Sequence, residues 1–252
     1  MWVAGVSADH PRGVNHRHPA RVEHAAIMGD AIGQILSLGV GVALSPVPII
    51  AVVLMLATPR GRTDGPAFLL GWLIGLSVVG TVILLASSGA DASDDGAPAT
   101  WVSWMKIGLG VLLLLVAAKQ WRGRPRAGED AALPSWMKAI DSFPPGRALA
   151  LGLALSAINP KNLILTVGAA AAIAETGAST GSQAGALAIF VVLGALGPGL
   201  PVLITFTMGD RARTILDDLK TWMATHNAAI MSVLCLLIAT KLAGDGISGL
   251  SG

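Results

Sequence analysis

Between Leu149 and Ile173 the chain reads LALGLALSAINPKNLILTVGAAAAI, a stretch in which Lys161 is the only charged side chain. As a helix it would span roughly 37 Å at about 1.5 Å per residue, enough to cross a hydrocarbon core of about 30 Å with some tilt. No water reaches a bilayer core to satisfy free backbone groups, so a run this apolar is committed to helix. Yet the run holds Asn159, Pro160, Lys161 and Asn162 near its middle. Proline removes a backbone donor and breaks the ladder of the preceding turn. A lysine at mid-depth costs several kcal/mol unless a partner or a wet cavity receives it. These residues are the first candidates for a working site.

Five more apolar runs follow the same pattern. The six spans are 32–57, 66–87, 104–121, 148–174, 184–208 and a short sixth, 228–244. Only 13% of residues are charged, about half the usual share of a soluble domain, so the expected class is an all-α integral membrane protein with six transmembrane helices. The net charge of +2 and the pI near 9 reflect basic loops and imply no nucleic-acid partner. The single cysteine, Cys235, excludes an internal disulfide and a paired-thiol redox site.

Residues 1–27 are polar, carry His10, His16, His18 and His24, and lack the apolar core of a signal peptide. Metal binding by these histidines and a disordered tail are both open, the tail being the plainer reading. Met28, just before the first apolar run, is expected to be the true start. The remaining chain, 28–252, is expected to be one membrane domain, with one repeat at 32–121, a cytoplasmic loop at 122–147 and a second repeat at 148–244.

Basic residues alternate with the spans. Arg60 and Arg62 follow the first. Lys119, Arg122, Arg124, Arg126, Lys138 and Arg147 follow the third, and Arg211, Arg213 and Lys220 the fifth. The intervening loops carry Asp91, Asp94, Asp95 and Glu175, with Lys106 alone at the far end of one. The positive-inside rule places the basic loops in the cytoplasm and both termini outside. Arg12, Arg17 and Arg21 oppose that placement unless Met28 is the start. Trp101 and Trp104 fit an outer interfacial belt and Trp121 an inner one. Two loops hold amphipathic patterns, Pro134–Phe143 and Ala212–Ala224; in the second, Ile215, Leu219, Trp222 and Met223 are expected to share a face.

The pattern G-x-A-L-S occurs twice, at 41–45 and 152–156, and each copy runs into prolines in mid-span. With three spans per half, the second half must be inserted upside down. Inverted repeats whose broken helices meet at mid-depth are a transporter pattern. Ser45, Pro46 and Pro48 are then expected to face Asn159, Pro160, Lys161 and Asn162, forming a cationic, amide-lined substrate site. Gly197-Pro198-Gly199 and Pro201 suggest a third break in span five. Outside the N-terminal tail the only histidine is His226, expected in a cytoplasmic turn. With no catalytic set, metal-ligand spacing or phosphate loop, neither an enzyme nor a cofactor is expected. Stripes of small residues permit close helix packing and allow a homodimer.

On Ser45-Pro46-Val47-Pro48-Ile49, on Asn159-Pro160-Lys161-Asn162, and on the tail residues Leu219–Trp222, Asn227, Ile230-Met231 and Lys241–Gly246, the chain resembles the lysine-exporter superfamily. Within it the chain is similar to the GAP family, the glycolipid- and sulfolipid-addressing proteins of mycobacteria and their relatives. The resemblance covers roughly 29–250. It implies a multi-pass plasma-membrane protein that helps move a surface glycolipid or peptidoglycolipid outward by alternating access. Spans one and four lack the cysteines of thiol-electron carriers of this architecture. The six spans lack the carboxylates a divalent-metal exporter needs, which leaves an anionic or amphipathic substrate. Two alternatives stay open: an assembly factor that recruits lipid-synthesis or export machinery, and an exporter of an amino acid or other small metabolite.

Overall fold

The structure, a computed structural model, describes residues 32–89, 100–123, 140, 143–209 and 211–251. The tail histidines, Met28, Asp91, Asp94, Asp95, Arg124, Arg126, Lys138 and most of the Pro134–Phe143 segment lie outside them. Of that segment, Ile140 is buried and Phe143 packs against the core.

Eight helices account for nearly all described residues, and no strand occurs among them. They are α1 (Ile32–Ala43), α2 (Pro46–Leu56), α3 (Gly61–Gly89), α4 (Thr100–Arg122), α5 (Pro145–Ala157), α6 (Pro160–Glu175), α7 (Thr180–Met208) and α8 (Arg211–Ser251). Helices α3, α4, α7 and α8 are long and apolar enough to cross a membrane. The pairs α1–α2 and α5–α6 are bent by 48° and 62° at short breaks, and each pair counted as one span brings the number to six. The chain is a helical membrane protein. Large apolar side chains such as Leu85, Leu115 and Leu237 point outward, as a lipid solvent requires.

Both breaks use the same local device. Ser45 and Asn159 are N-caps, and Pro46 and Pro160 occupy the first turn of the helix that follows. A proline there loses nothing, because the first N–H groups of a helix have no internal acceptor. The structural correspondence is therefore Ser45-Pro46 with Asn159-Pro160. The G-x-A-L-S match aligns Ser45 with Ser156 instead, three residues off this correspondence.

Helix α2 touches α3, α5, α7 and α8, and α6 touches α3, α4, α5 and α7. Glycines set the closest approaches. A Cβ on Gly152 of α5 would lie 2.1 Å from the Phe68 carbonyl oxygen of α3, and one on Gly197 of α7 would lie 2.0 Å from that of Ala43 in α1.

The structure corrects two sequence expectations about breaks. Helix α7 runs unbroken through Pro198 and Pro201. Pro198 has no N–H for the Gly194 carbonyl four residues back, but the buried Trp72 indole of α3 donates to that oxygen at 3.2 Å. Helix α8 is likewise one helix of 41 residues, so the sixth span is not short and Ala212–Ala224 is not a separate element. No Gly or Pro lies between Arg211 and Ala243 to stop it. In its polar half Leu216 and Met223 are buried, whereas Ile215 and Trp222 are exposed, so the expected shared face divides. His226 is helical rather than in a turn, and its ring stacks on Trp222 with centroids 5.0 Å apart.

Candidate functional site

The two breaks meet, and the first turn of α6 serves both. Lys161 Nζ donates to the Gly41 carbonyl oxygen at 2.5 Å. Gly41 is in the last turn of α1, where carbonyls lack helical donors. Asn162 Nδ2 donates to the Leu155 carbonyl at the end of α5, at 3.0 Å. Ser45 Oγ lies 2.7 Å from the Val42 carbonyl oxygen and 2.9 Å from Asn162 Oδ1, so its single hydroxyl proton has two acceptors in reach. The Val42 oxygen is available because its partner four residues on is Pro46, which has no N–H. Each break thus exposes a carbonyl, and a side chain of α6 crosses to it.

Lys161, Asn162 and Ser45 are all buried, with Lys161 only 2% exposed. No carboxylate pairs with Lys161 among the described residues. Pro46 and Pro48 are buried beside them. Asn159 and Pro160 differ. Asn159 is half-buried, and its Oδ1 accepts the Lys161 backbone N–H at 3.1 Å, a cap of α6. Pro160 is exposed. The structure therefore gathers Ser45, Lys161 and Asn162 into one network and assigns Asn159 a local capping bond. In this conformation the network is closed on itself, its donors taken by the Gly41, Val42 and Leu155 carbonyls and by Asn162 Oδ1.

Two cavities bear on function. One, of about 960 Å³, lies between the α2–α3 turn and the α7–α8 turn, with Arg62, Arg213 and Lys220 in its wall beside Asp217 and Asp218. Lys220 pairs with Asp217. Arg62 and Arg213 form no salt bridge among the described residues. The other cavity, of about 240 Å³, lies between α1 and α8 and ends at Gly41.

An ion pair escaped the sequence reasoning. Lys106 Nζ of α4 lies 2.5 Å from Glu175 Oε2 at the end of α6, so Lys106 belongs to a span rather than to a loop end. The signal was present: Lys106 and Glu175 are the opposite charges of two loops assigned to one membrane face. Asp64, two residues before the second span, is buried in the first turn of α3, where the helix N-terminus favours a negative charge.

The family model of Sap, the sulfolipid-1-addressing protein, matches residues 35–248. The chain belongs to that family. No curated protein and no solved structure matches it. In this Sap-family chain the match includes both breaks, the Lys161 network and the Arg62–Arg213 cavity. Lipid export or addressing is therefore the functional area to which the chain belongs.

Proposed function

We propose that this protein works in the outward movement of an acidic glycolipid across the plasma membrane, taking the headgroup at its basic end. The observation that carries the reading is the sulfolipid-addressing family match over residues 35–248. The basic cavity supports it. Its 960 Å³ is at the upper end of the roughly 300–1,000 Å³ usual for small-molecule sites, room for a sugar headgroup whose tails stay in lipid. Arg62 and Arg213 offer planar donor forks that suit a sulfate, phosphate or carboxylate. By the positive-inside rule this end is cytoplasmic.

The two bent pairs act as the moving parts of an inverted repeat, in keeping with the resemblance to the lysine-exporter superfamily. The packing of α2 on α3, α7 and α8 and of α6 on α7, α3 and α4 supports that reading. Lys161 and Asn162 hold the breaks together in the closed conformation. Releasing the Gly41 and Leu155 carbonyls would free donors and acceptors at mid-depth for the passing headgroup. No catalytic step is assigned to the chain.

A second reading, a non-conduit assembly factor, is favoured by the closure of the central network on itself. One experiment separates the two. Surface and cell-associated lipids are profiled in the source organism lacking this protein, then after complementation at equal protein level. The complementing proteins are wild type, Lys161→Gln and an Arg62→Gln/Arg213→Gln pair. The conduit reading expects one acidic glycolipid to leave the surface and accumulate inside, with only wild type restoring it. Full restoration by both variants would overturn the conduit and leave the assembly role. An unchanged lipid profile would overturn lipid export itself and make small-metabolite efflux the next assay.

A further inference from the structure

The groove between α1 and α8 is a different kind of site from the basic cavity. Its α1 wall is one helical stripe, Gln34, Leu38 and Gly41, facing Leu234, Ile238 and Leu242 of α8. Its rim residues Val40 and Leu237 are 48% and 61% exposed, so the groove opens sideways on the lipid-facing surface of the bundle. Gln34 lies in the first turn of α1 and is 8% exposed. Its Oε1 is buried in this wall without a hydrogen-bond partner among the described residues. At the same end, Lys241 Nζ and Asp245 Oδ2 lie 3.1 Å apart.

A buried amide oxygen left unpaired carries a desolvation penalty of about 1–3 kcal/mol, and hydrocarbon offers it no donor. The polar groups that share the wall are engaged elsewhere, Ser37 donating to the Gly33 carbonyl and Lys241 to Asp245; the rest of the lining is apolar and opens toward lipid, so a lipid is the ligand suited to supply the donor. At about 240 Å³ the groove is smaller than a site for a whole drug-sized ligand. From Gln34 to Gly41 the stripe extends roughly 10 Å, the shape of part of one hydrocarbon chain. The Lys241–Asp245 pair at the mouth is neutral overall, which selects polarity rather than charge.

We propose that this groove binds one acyl chain of a lipid whose headgroup presents a hydroxyl or amide N–H to Gln34 Oε1. The chain lies against Leu38, Leu234 and Ile238, with its far end at Gly41, the residue whose carbonyl holds Lys161. It is a lateral site, distinct from the basic cavity, and it rests on the export reading only for the identity of its natural occupant.

The test uses the full chain in vesicles of phosphatidylethanolamine and phosphatidylglycerol with two probes. One is a monogalactosyl diacylglycerol carrying a diazirine in an acyl chain; the other is a fatty-acid methyl ester with the same diazirine and no donor. Crosslinks are mapped by mass spectrometry. The galactolipid is expected to label 34–41 and 234–245 above the other lipid-facing helices. Gln34→Leu is expected to lower that labelling by about five-fold, the weight of one hydrogen bond, and to leave the ester's labelling unchanged. Ser37→Trp, which crowds the groove, is expected to block both probes. Leu237→Trp, at an exposed rim position, gives the same result if Ser37→Trp does not fold. Uniform labelling around the bundle, or equal loss of both probes in Gln34→Leu, would overturn the site. Lipid export by Gln34→Leu is scored separately: normal export with lost labelling leaves the groove standing and removes it from the export route.

Discussion

Replacing Trp72 tests how a transmembrane helix carries a proline without breaking. Trp72 is fully buried in α3, and its indole N–H reaches the Gly194 carbonyl at 3.2 Å. That oxygen has no helical donor because residue 198 is proline. Trp72→Phe removes the donor and leaves the buried carbonyl unsatisfied, costing about 1–3 kcal/mol. The smaller ring adds a packing loss of about 1–2 kcal/mol. Pro198→Ala restores an N–H within α7, so in that background only the packing loss remains. The expected coupling in a double-mutant cycle is about 1–3 kcal/mol, with Trp72→Phe milder when Ala occupies position 198. Equilibrium unfolding of the four proteins in mixed lipid–detergent micelles measures it. Additivity within about 0.5 kcal/mol, the usual result for independent sites, would refute the assignment of Trp72 as the surrogate donor.

Three further outcomes are expected. Gly152→Ala places a Cβ about 2.1 Å from the Phe68 carbonyl oxygen and should cost at least ~2 kcal/mol by forcing α3 and α5 apart; Gly108→Ala, with open space around it, should leave the thermal midpoint unchanged. Glu175→Ala strands Lys106 in a largely buried position and should destabilise by about 3 kcal/mol, whereas the Lys106→Met/Glu175→Leu pair should recover most of the loss in the same unfolding assay. Asn162→Leu leaves the Leu155 carbonyl unpaired and should lower stability by about 1–3 kcal/mol; unchanged stability would mean that the bridge between the breaks contributes nothing.

The spans were legible because lipid makes apolar length a strong signal, and the breaks at Ser45-Pro46 and Asn159-Pro160 because a polar cap followed by proline is a local helix-start signal. Pro198, behind Gly197, also reads as a break, yet its helix continues. The deciding group, the Trp72 indole, is far away in sequence, and no window around Pro198 contains it. The start of α8 was misread for the opposite reason. Its polarity changes along the chain while its backbone signals do not, and a helix ends on the latter. Of the candidate site residues, Lys161, Asn162 and Ser45 could be named from their chemistry. Their partners, the carbonyls of Gly41, Val42 and Leu155, could not, because every residue has a carbonyl and only the fold determines which ones lose their donors.

Helix α8, at 41 residues, is about 61 Å long by the usual rise, twice the roughly 30 Å of a hydrocarbon core. Half of it must stand clear of the lipid, and the polar stretch from Arg211 to Asn227 is the half suited to water. No Gly or Pro interrupts the rod between the two halves. A tilt of about 10° within the membrane would swing its tip by roughly 5 Å over a ~30 Å arm. Because Ala212 and Leu216 of that half are buried in the core and wall the basic cavity, any rearrangement that α8 follows inside the bilayer is carried by a stiff rod to that cavity.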